Sequence, residues 1–308
     1  MVEICVMGSL NMDVVTHIPY FPQEGETLEG SSIEEYAGGK GANQAVAAAR
    51  LGRRVAMIGA VGEDAYGERL VEGLAQNGVD HTEVERLRGV RTGQTAILLT
   101  ERGDNTILYV PGANVEKSVP SVERAVRHFE GAQILLVQLE TPEASVLRAM
   151  EVAKELGMVV ILDPAPVARL TKSLLHAADC IVPNEVETEQ VVGFSVHDEK
   201  TARRAMQTLK QYDIERAIFK RGSESLFVCE GVSVTEIQPI RVAAVETIGA
   251  GDCFAGALAT GLVEGLSFVG AAHFANTVAA LKVTKRGVQE GMPTRKEVER
   301  FQERRESL

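Results

Sequence analysis

The chain contains no tryptophan, and its four cysteines are far apart. Cys5, Cys180, Cys229 and Cys253 show no C-x-x-C spacing, so the sequence offers no zinc site built from thiolates and fits a reducing cytosol. It also lacks an apolar run as long as a membrane span, and its first residues carry no basic signal-peptide segment. We therefore expect a soluble cytoplasmic protein with no membrane partner.

Basic residues are outnumbered by acidic ones. The 308 residues include 43 acidic and 32 basic side chains, which gives a net charge of −11. Nucleic-acid-binding proteins usually present a basic surface, so this balance argues against a nucleic-acid partner. It does not exclude a phosphate-bearing substrate, because a local site can be positive. The composition allows a large core, and one α/β domain with an appendage fits as well as two domains.

The hydrophobic pattern predicts an α/β fold. Buried strands are predicted at 3–8, 54–60, 133–139, 158–162 and 179–182, and helices at 40–52, 65–77, 143–156, 249–264, 267–285 and 294–305. Short apolar runs that alternate with helices indicate a central, mostly parallel sheet flanked by helices. Alternating patterns at 13–17 and 27–36, and a hairpin at 94–100 and 105–110, predict a small additional β-sheet that could form a lid. A second hairpin is predicted at 215–236.

The segment from Glu246 to Asp252 reads Glu-Thr-Ile-Gly-Ala-Gly-Asp and precedes a helical pattern. Its glycines let backbone amides approach an anion, and the first turn of a helix favours negative charge. A carboxylate in that turn would repel a phosphate, but it fits a base that deprotonates a hydroxyl attacking phosphorus. The segment therefore suggests phosphoryl transfer to an alcohol, with Asp252 as the base. The alternative is an ordinary glycine turn with Asp252 near the helix N-cap.

Two other segments carry side chains suited to a polyhydroxyl ligand. In the segment 38–44, Lys40 and Asn43 are three residues apart and share a helix face. Asn11 and Asp13 follow a buried strand at alternate positions, so their side chains point the same way at a carboxyl end of the sheet. Asp13 could hold two hydroxyls of a sugar. The alternatives are a flexible turn before a helix for the first segment and an Asx turn for the second.

Further polar residues follow two predicted strands. Glu140 comes just after the apolar run 134–137, and Asn184 and Glu187 follow the strand 179–182. A carboxylate and an amide at such a position could organise Mg²⁺-bound waters around phosphates. The alternative is a solvated helix start with acidic residues near its N-terminus.

Six segments together carry a stronger signal. They are Gly8-Ser9-Leu10-Asn11-Met12-Asp13, Gly38-Gly39-Lys40-Gly41-Ala42-Asn43-Gln44-Ala45, Gln138-Leu139-Glu140, Asp163-Pro164-Ala165-Pro166, Asn184-Glu185-Val186-Glu187 and Gly249-Ala250-Gly251-Asp252. In this order and spacing the chain resembles the PfkB carbohydrate kinase family, and within it the kinases of ribose. The resemblance implies one α/β kinase domain over 1–308, with a lid from about 12–36 and 92–111 that joins two subunits into a homodimer. It also implies ATP- and Mg²⁺-dependent phosphorylation of the 5-hydroxyl of D-ribose.

The resemblance implies roles for individual residues. The sugar-binding positions match Asn11, Asp13, Gly39, Lys40, Asn43, Glu140 and Asp252, and Asp252 matches the base. Gly249, Ala250 and Gly251 match the anion hole. The ATP-binding positions match Asn184, Glu187, Lys220, Gly222, Gly251 and Asn276. Of these, Lys220 and Asn276 differ from the residues that are common there.

A site for a monovalent cation, usually potassium, is implied beside the anion hole. Its positions match Glu246, Ile248, Lys282, Gly287 and Gly291. Glu246 stands where aspartate is common and Gly291 where serine is common, so two ligand positions differ. Asp163 also departs from the common asparagine.

Several alternatives stay open at this point. The chain could be a kinase of the same family for another neutral sugar, for a nucleoside or for a sugar phosphate, or a non-catalytic sugar-binding protein. A phosphosugar needs further basic residues, and the segments 11–13 and 37–44 offer only Lys40, which favours a neutral sugar. The scarcity of aromatic residues argues against a nucleoside, and the intact Asp252 with both glycines argues against a silent protein.

Overall fold

A computed structural model describes residues 1–306 of the chain. Its strands are β1 (Ile4–Met7), β2 (Asn11–Ile18), β3 (Ser32–Gly38), β4 (Val55–Gly62), β5 (Asp80–Leu87), β6 (Gly93–Thr100), β7 (Asn105–Val110), β8 (Ile134–Val137), β9 (Val159–Leu162), β10 (Cys180–Ile181), β11 (Arg216–Phe219), β12 (Leu226–Glu230) and β13 (Ser233–Ile237). The helices are α1 (Lys40–Arg50), α2 (Ala65–Gln76), α3 (Val119–His128), α4 (Glu143–Glu155), α5 (Lys172–Ala177), α6 (Glu185–Val192), α7 (Glu199–Leu209), α8 (Ala250–Val263), α9 (Phe268–Lys282) and α10 (Arg295–Glu306). Short 3₁₀ turns lie at Gly112–Val115, Val167–Arg169 and Lys210–Tyr212.

The large sheet has the order β13-β12-β11-β10-β9-β8-β1-β4-β5. Neighbouring strands from β5 to β11 are parallel, and β12 and β13 add an antiparallel edge. In the interior strand β1, Ile4 is in register with Val55 on one side and Ile134 on the other. Strands paired on both sides and buried on both faces explain why these segments read as continuous apolar runs. The predicted mostly parallel sheet flanked by helices is confirmed.

Helices cover both faces of this sheet. Ile4 and Val6 point to one face, where they share a core with residues of α1, α2, α8 and α9. Cys5 and Met7 point to the other face and pack with residues of α3 and α4. Among residues 1–306, no helix is both long enough and apolar enough to cross a membrane.

The small sheet has the order β3-β2-β6-β7, with β2 and β6 parallel and the other pairs antiparallel. Strand β2 starts four residues after β1 ends, so the small sheet projects from the carboxyl end of the large sheet. Successive residues of a strand face opposite sides. One side of β2 carries Asn11 and Asp13. The register places Ile33, Leu108 and Val110 on the opposite side of the same sheet.

Candidate active site

Polar side chains follow five neighbouring strands of the large sheet at their carboxyl ends. They are Asn11 beyond β1, Glu140 beyond β8, Asp163 beyond β9, Asn184 beyond β10 and Lys220 beyond β11. Because these strands are parallel, the residues that follow them meet at one edge of the sheet. Open parallel sheets bind ligands in the crevice at this edge.

Two helices begin at the same edge without a side-chain cap. Helix α1 starts after Gly39, which has φ 90°, and α8 starts after Gly249, which has φ 76°, and neither start has a capping side chain. By contrast, side chains cap α2, α3, α6, α7 and α9. Within residues 1–306, the amides of Gly251 and Asp252 find no acceptor. The first turn of α8 is therefore free to bind an anion.

Glycine is required where α1 and α8 meet the strands and each other. A Cβ on Gly39 would lie 2.7 Å from the backbone nitrogen of Asn11, and a Cβ on Gly256 would lie 2.6 Å from the carbonyl oxygen of Gln44. Real Cβ atoms do not approach backbone this closely, so larger residues would push the elements apart. This close approach brings the first turn of α1 against Asp252 in the first turn of α8.

Asp252 is buried and held on both carboxylate oxygens. Asn43 Nδ2 donates to Oδ2 at 2.9 Å, and Gln44 Nε2 donates to Oδ1 at 3.2 Å. Burial raises the pKa of Asp252, while Lys40 opposes this effect and Asp163 adds to it. Gln44 also donates to Asp163 Oδ2 at 2.8 Å, so one amide orients two carboxylates. The result is a fixed carboxylate with a raised proton affinity at an anion-binding helix terminus.

Two lysines flank the first turn of α8. The Asp252 carboxylate, with Asp163 and Glu140, holds the pKa of Lys40 above its usual range although burial opposes this. Lys220 Nζ lies 3.6 Å from Asp163 Oδ1 and 3.7 Å from the position that a Cβ on Gly251 would take. An anion at the α8 terminus would therefore meet free amides and two ammonium groups.

The predicted sugar residues gather on the small-sheet side of Lys40 and Asp252. Burial raises the pKa of Asp13 to about 6; a hydrogen bond from Thr95 opposes this, and the charges of Glu140 and Asp252 add to it. The Asp13 carboxyl group is therefore within the electrostatic reach of both Glu140 and Asp252. Glu140 accepts a hydrogen bond from Ser9.

Amides and a tyrosine complete this side of the site. Asn11 Oδ1 accepts from Asn114 Nδ2 at 2.7 Å, and Asn43 Oδ1 accepts from Gln289 Nε2 at 3.1 Å. Tyr109 is in register with Thr95, next to Asp13 in the pairing, and its hydroxyl is buried near the side chains of Asn11 and Asn114. The sequence reasoning missed Tyr109, although the predicted hairpin places it at an alternate position.

A cleft of about 330 Å³ extends from Lys40 and Asp252 along α6 and α9. All six residues predicted to bind ATP line it: Asn184, Glu187, Lys220, Gly222, Gly251 and Asn276. Phe254 and Ala279 add apolar wall. Glu187 and Asn184 form a capping box at the start of α6, with Glu187 Oε2 accepting from Asn184 N at 2.7 Å. Burial raises the pKa of Glu187, and Asp163 adds to the effect.

The cleft suits a magnesium ion that arrives with a nucleotide. Within the described residues, no group of three or more His, Cys, Asp or Glu side chains could hold a metal by itself. Mg²⁺ keeps several waters and is usually bound by one or two carboxylates together with substrate phosphates. Asp163 and Glu187 are two buried carboxylates on the cleft wall, so the residues present fit this mode of binding.

The predicted cation positions meet behind the α8 terminus. Glu246 Oε2 accepts from Gly287 N at 3.1 Å, and the Glu246 carbonyl accepts from Lys282 Nζ at 3.4 Å. The side chain of Ile248 is exposed. A Cβ on Gly291 would lie 2.4 Å from the Gly287 carbonyl oxygen. One of these oxygens, the Glu246 carbonyl, is therefore already bonded to a lysine ammonium group.

Comparison with known proteins supports one family for this arrangement. The sequence profile of the pfkB family carbohydrate kinases matches residues 1–295. The chain is 39% identical to the ribokinase of Haemophilus influenzae over 300 residues, covering 97% of this chain and 98% of that protein. It is 34% identical to the deoxyribokinase of Salmonella typhi over 302 residues, covering 98% of each chain. The structure of Arabidopsis thaliana ribokinase complexed with ribose and ATP superposes with a TM-score of 0.90 at 31% identity, covering 98% of this chain and 99% of that one. The chain belongs to the pfkB family of carbohydrate kinases and has the ribokinase-like α/β fold.

Proposed function

We propose that this chain transfers the γ-phosphoryl group of ATP to the 5-hydroxyl of D-ribose and releases D-ribose 5-phosphate and ADP. The observation that carries the proposal is the position of Asp252, a buried carboxylate held on both oxygens in the first turn of an uncapped helix. The similarity to ribokinases over nearly the whole chain supports ribose as the acceptor.

The proposed reaction uses Asp252 as general base. The sugar oxygen forms a bond to the γ-phosphorus while the bond to the β,γ-bridging oxygen breaks, and ADP leaves with that electron pair. The hydroxyl proton moves to Asp252, whose pKa burial raises. Asn43 and Gln44 keep the carboxylate from turning away from the acceptor. A base of this kind contributes roughly 10²–10⁴ in rate.

Positive charge at the α8 terminus stabilises the transferred group. The amides of Gly251 and Asp252 donate to its oxygens, with Gly249 and Ala250 shaping the anion hole, and Lys40 and Lys220 offset its charge. Mg²⁺ bound with ATP would neutralise further phosphate charge, and Asp163 and Glu187 would hold it through water. Potassium binding at the predicted cation site stays a prediction. The ammonium group of Lys282 lies at that site, where it is bonded to the Glu246 carbonyl.

Ribose is proposed to bind between the small sheet and the large one. Asp13 and Asn43 hold ring hydroxyls, Lys40 and Glu140 fix the edge of the sugar, and Asn11 and Gly39 close the pocket. ATP extends along the cleft lined by Asn184, Glu187, Lys220, Gly222 and Asn276. The small sheet, from about 12–36 and 92–111 of a single kinase domain, acts as a lid that excludes water as a competing acceptor.

The outer face of the lid is proposed to join two copies of the chain. Ile33, Leu108 and Val110 share this face and are each more than half exposed. An apolar patch of this kind is typical of an interaction surface. We expect sedimentation velocity to give a homodimer, and Leu108→Glu to give a monomer. The matched control Val232→Glu changes an exposed valine in the β12–β13 turn and should leave the dimer intact. A wild-type monomer would contradict this part of the proposal.

The protein is proposed to work in the cytoplasm on small molecules, with no nucleic-acid or membrane partner. Its four cysteines are buried and unpaired. Cysteines in this state are typical of a reducing compartment. The net charge of −11 gives no support for binding nucleic acid.

The deciding experiment measures ADP release from MgATP with D-ribose, 2-deoxy-D-ribose, D-fructose and adenosine. We expect the highest kcat/KM with D-ribose, and ³¹P NMR should identify the product as a 5-phosphate. A preference for 2-deoxy-D-ribose would assign the pocket to the substrate named for the Salmonella relative. ATP binding without turnover on any acceptor would contradict the proposal and favour a sugar-binding protein.

A further inference from the structure

Lys282, at the end of α9, is fully buried, with none of its surface exposed. Its ammonium nitrogen makes one long hydrogen bond, 3.4 Å to the carbonyl oxygen of Glu246. In the part of the chain that the structure describes, no carboxylate lies within ion-pair distance of it. The aliphatic end of the side chain passes behind the α8 terminus, with Cε 3.8 Å from the position that a Cβ on Gly249 would take.

A buried ammonium group with one weak acceptor is costly, because removing a charge from water is repaid only by close partners. Burial lowers the pKa of Lys282, whereas Glu246, Cys253, Asp252 and Glu290 oppose this. No fixed group within residues 1–306 balances the ammonium charge at contact distance. The balancing charge can come from a ligand, since the free amides at the front of the same helix terminus bind an anion.

We propose that the ammonium group of Lys282 is a built-in monovalent cation behind the α8 anion hole, so that phosphoryl transfer needs no dissolved potassium. This inference rests on the proposed kinase function. Lys282 contacts neither substrate. It acts through the field at the helix terminus and is therefore a positioning residue for charge on the transferred group.

The surrounding oxygens do not fit a potassium ion in addition to this lysine. A bound potassium ion needs several oxygen atoms in place of its water. The Glu246 carbonyl already accepts from Lys282, and Glu246 Oε2 already accepts from Gly287 N. Gly291 has no side-chain oxygen to contribute, and the Gly287 carbonyl leaves no room for a Cβ there. The departures at Glu246 and Gly291 and the burial of the Lys282 ammonium group beside them thus have one common explanation.

The test compares initial rates in potassium chloride and in tetramethylammonium chloride at equal ionic strength. We expect the wild-type rate to be the same within about twofold, because its cation is covalently attached. Lys282→Met keeps the bulk without the charge, and we expect a loss of about tenfold or more that potassium does not restore, by the scale of lost charge stabilisation. Lys282→Ala should show a similar loss, but it opens space, so potassium should restore most of the rate. Lys285→Ala is the matched control, because Lys285 lies three residues further on and pairs with Glu297.

A second readout does not depend on activity. Crystals soaked in thallium(I), a heavy substitute for potassium, should show no anomalous peak beside Glu246 in the wild type and a peak there in Lys282→Ala. Strong potassium activation of the wild type, or a thallium peak beside an intact Lys282, would overturn the inference. If no sugar supports turnover in either salt, the proposed function fails instead, and the thallium result still decides whether this lysine excludes the ion.

Discussion

Replacing Asp13 by asparagine should stabilise the unliganded protein and weaken its sugar binding. Burial and the neighbouring charges of Glu140 and Asp252 raise the pKa of Asp13 from 3.8 to about 6. A carboxyl group whose pKa is raised on folding binds its proton more tightly in the folded state. The contribution of Asp13 to the free energy of unfolding is therefore most favourable at low pH. It falls as the pH rises from about 4 to 6 and is constant above that window.

The size of the effect follows from the shift. One pKa unit corresponds to about 1.4 kcal/mol, so the ionised Asp13 costs about 3 kcal/mol of folding free energy at pH 7.5 and about half of that at pH 5. We expect Asp13→Asn to be more stable by about 2 kcal/mol at pH 7.5, because the amide avoids the charge but binds Thr95 less well. The gain should fall to about 0.5 kcal/mol at pH 5, because the charge costs only about 1.5 kcal/mol there while the weaker bond to Thr95 still subtracts about 1 kcal/mol. The KM for ribose should rise about 100-fold, since hydrogen bonds to a charged acceptor are worth about 1.5–3 kcal/mol each.

Urea unfolding at the two pH values measures the stability change, and initial rates measure KM. Asp104→Asn is the matched control, because it removes the same charge from an exposed position in the turn between β6 and β7. We expect it to change stability by less than about 0.5 kcal/mol and to leave KM unchanged. A gain that is equal at both pH values, or a loss of stability in Asp13→Asn, would refute the electrostatic argument.

The other predictions concern the base, the buried ion pair and helix packing. Asp252→Asn should lower kcat by about 10²–10⁴ while a calorimetric titration still detects ribose, and near-normal turnover would exclude Asp252 as the base. Lys220→Gln should destabilise the protein by about 1–3 kcal/mol, because it removes the ion-pair partner of the buried Asp163 carboxylate. Adding Asp163→Asn should restore stability but not kcat, and simple additivity in this double-mutant cycle would contradict the pairing. Gly256→Ala should lower the free energy of unfolding by about 1–3 kcal/mol through overpacking against α1. Gly73→Ala, in open space on α2, should raise it by about 0.5–1 kcal/mol, as measured by thermal unfolding. Equal effects would show that the close approach at Gly256 is unimportant.

Much of the architecture was predictable because its signals are local. The helix predicted at 249–264 is observed at Ala250–Val263, and the hairpin predicted at 94–100 and 105–110 is observed as β6 and β7. Glycines mark the boundaries of these elements, and the apolar period identifies them. The rule that ligands bind at the carboxyl ends of parallel strands then places the polar segments together.

Other elements gave weaker signals. Strand β5 has the polar sequence DHTEVERL and lies at a sheet edge with only Val84 buried, so no apolar run indicates it. Helix α7 buries only four residues on a highly charged segment, and its clearest local signal is the Asp198–Thr201 capping box at its N-terminus. Hydrophobic periodicity finds core elements and overlooks those that are mostly solvated.

The site was predictable in its segments and not in its connections. Gln44 lies inside a segment singled out from the sequence, yet its role depends on Asp163 and Asp252, which are 119 and 208 residues away. Contacts at that separation depend on how α1 and α8 cross the sheet. A single sequence does not contain this information in any local pattern.

The absence of long-range contacts from any local pattern also explains why the departures from the family pattern look unrelated in the sequence. Considered singly, Asp163 and Lys220 are two unexplained substitutions, but their charged groups lie 3.6 Å apart in one cleft. An added buried carboxylate would raise the proton affinity of Asp252 further, and Lys220 offsets that charge while facing the α8 terminus. Lys282 adds a positive charge behind the same terminus. The charges of Asp163 and Lys220 therefore offset each other within the site, and this pairing becomes visible only when the strands and helices are assembled.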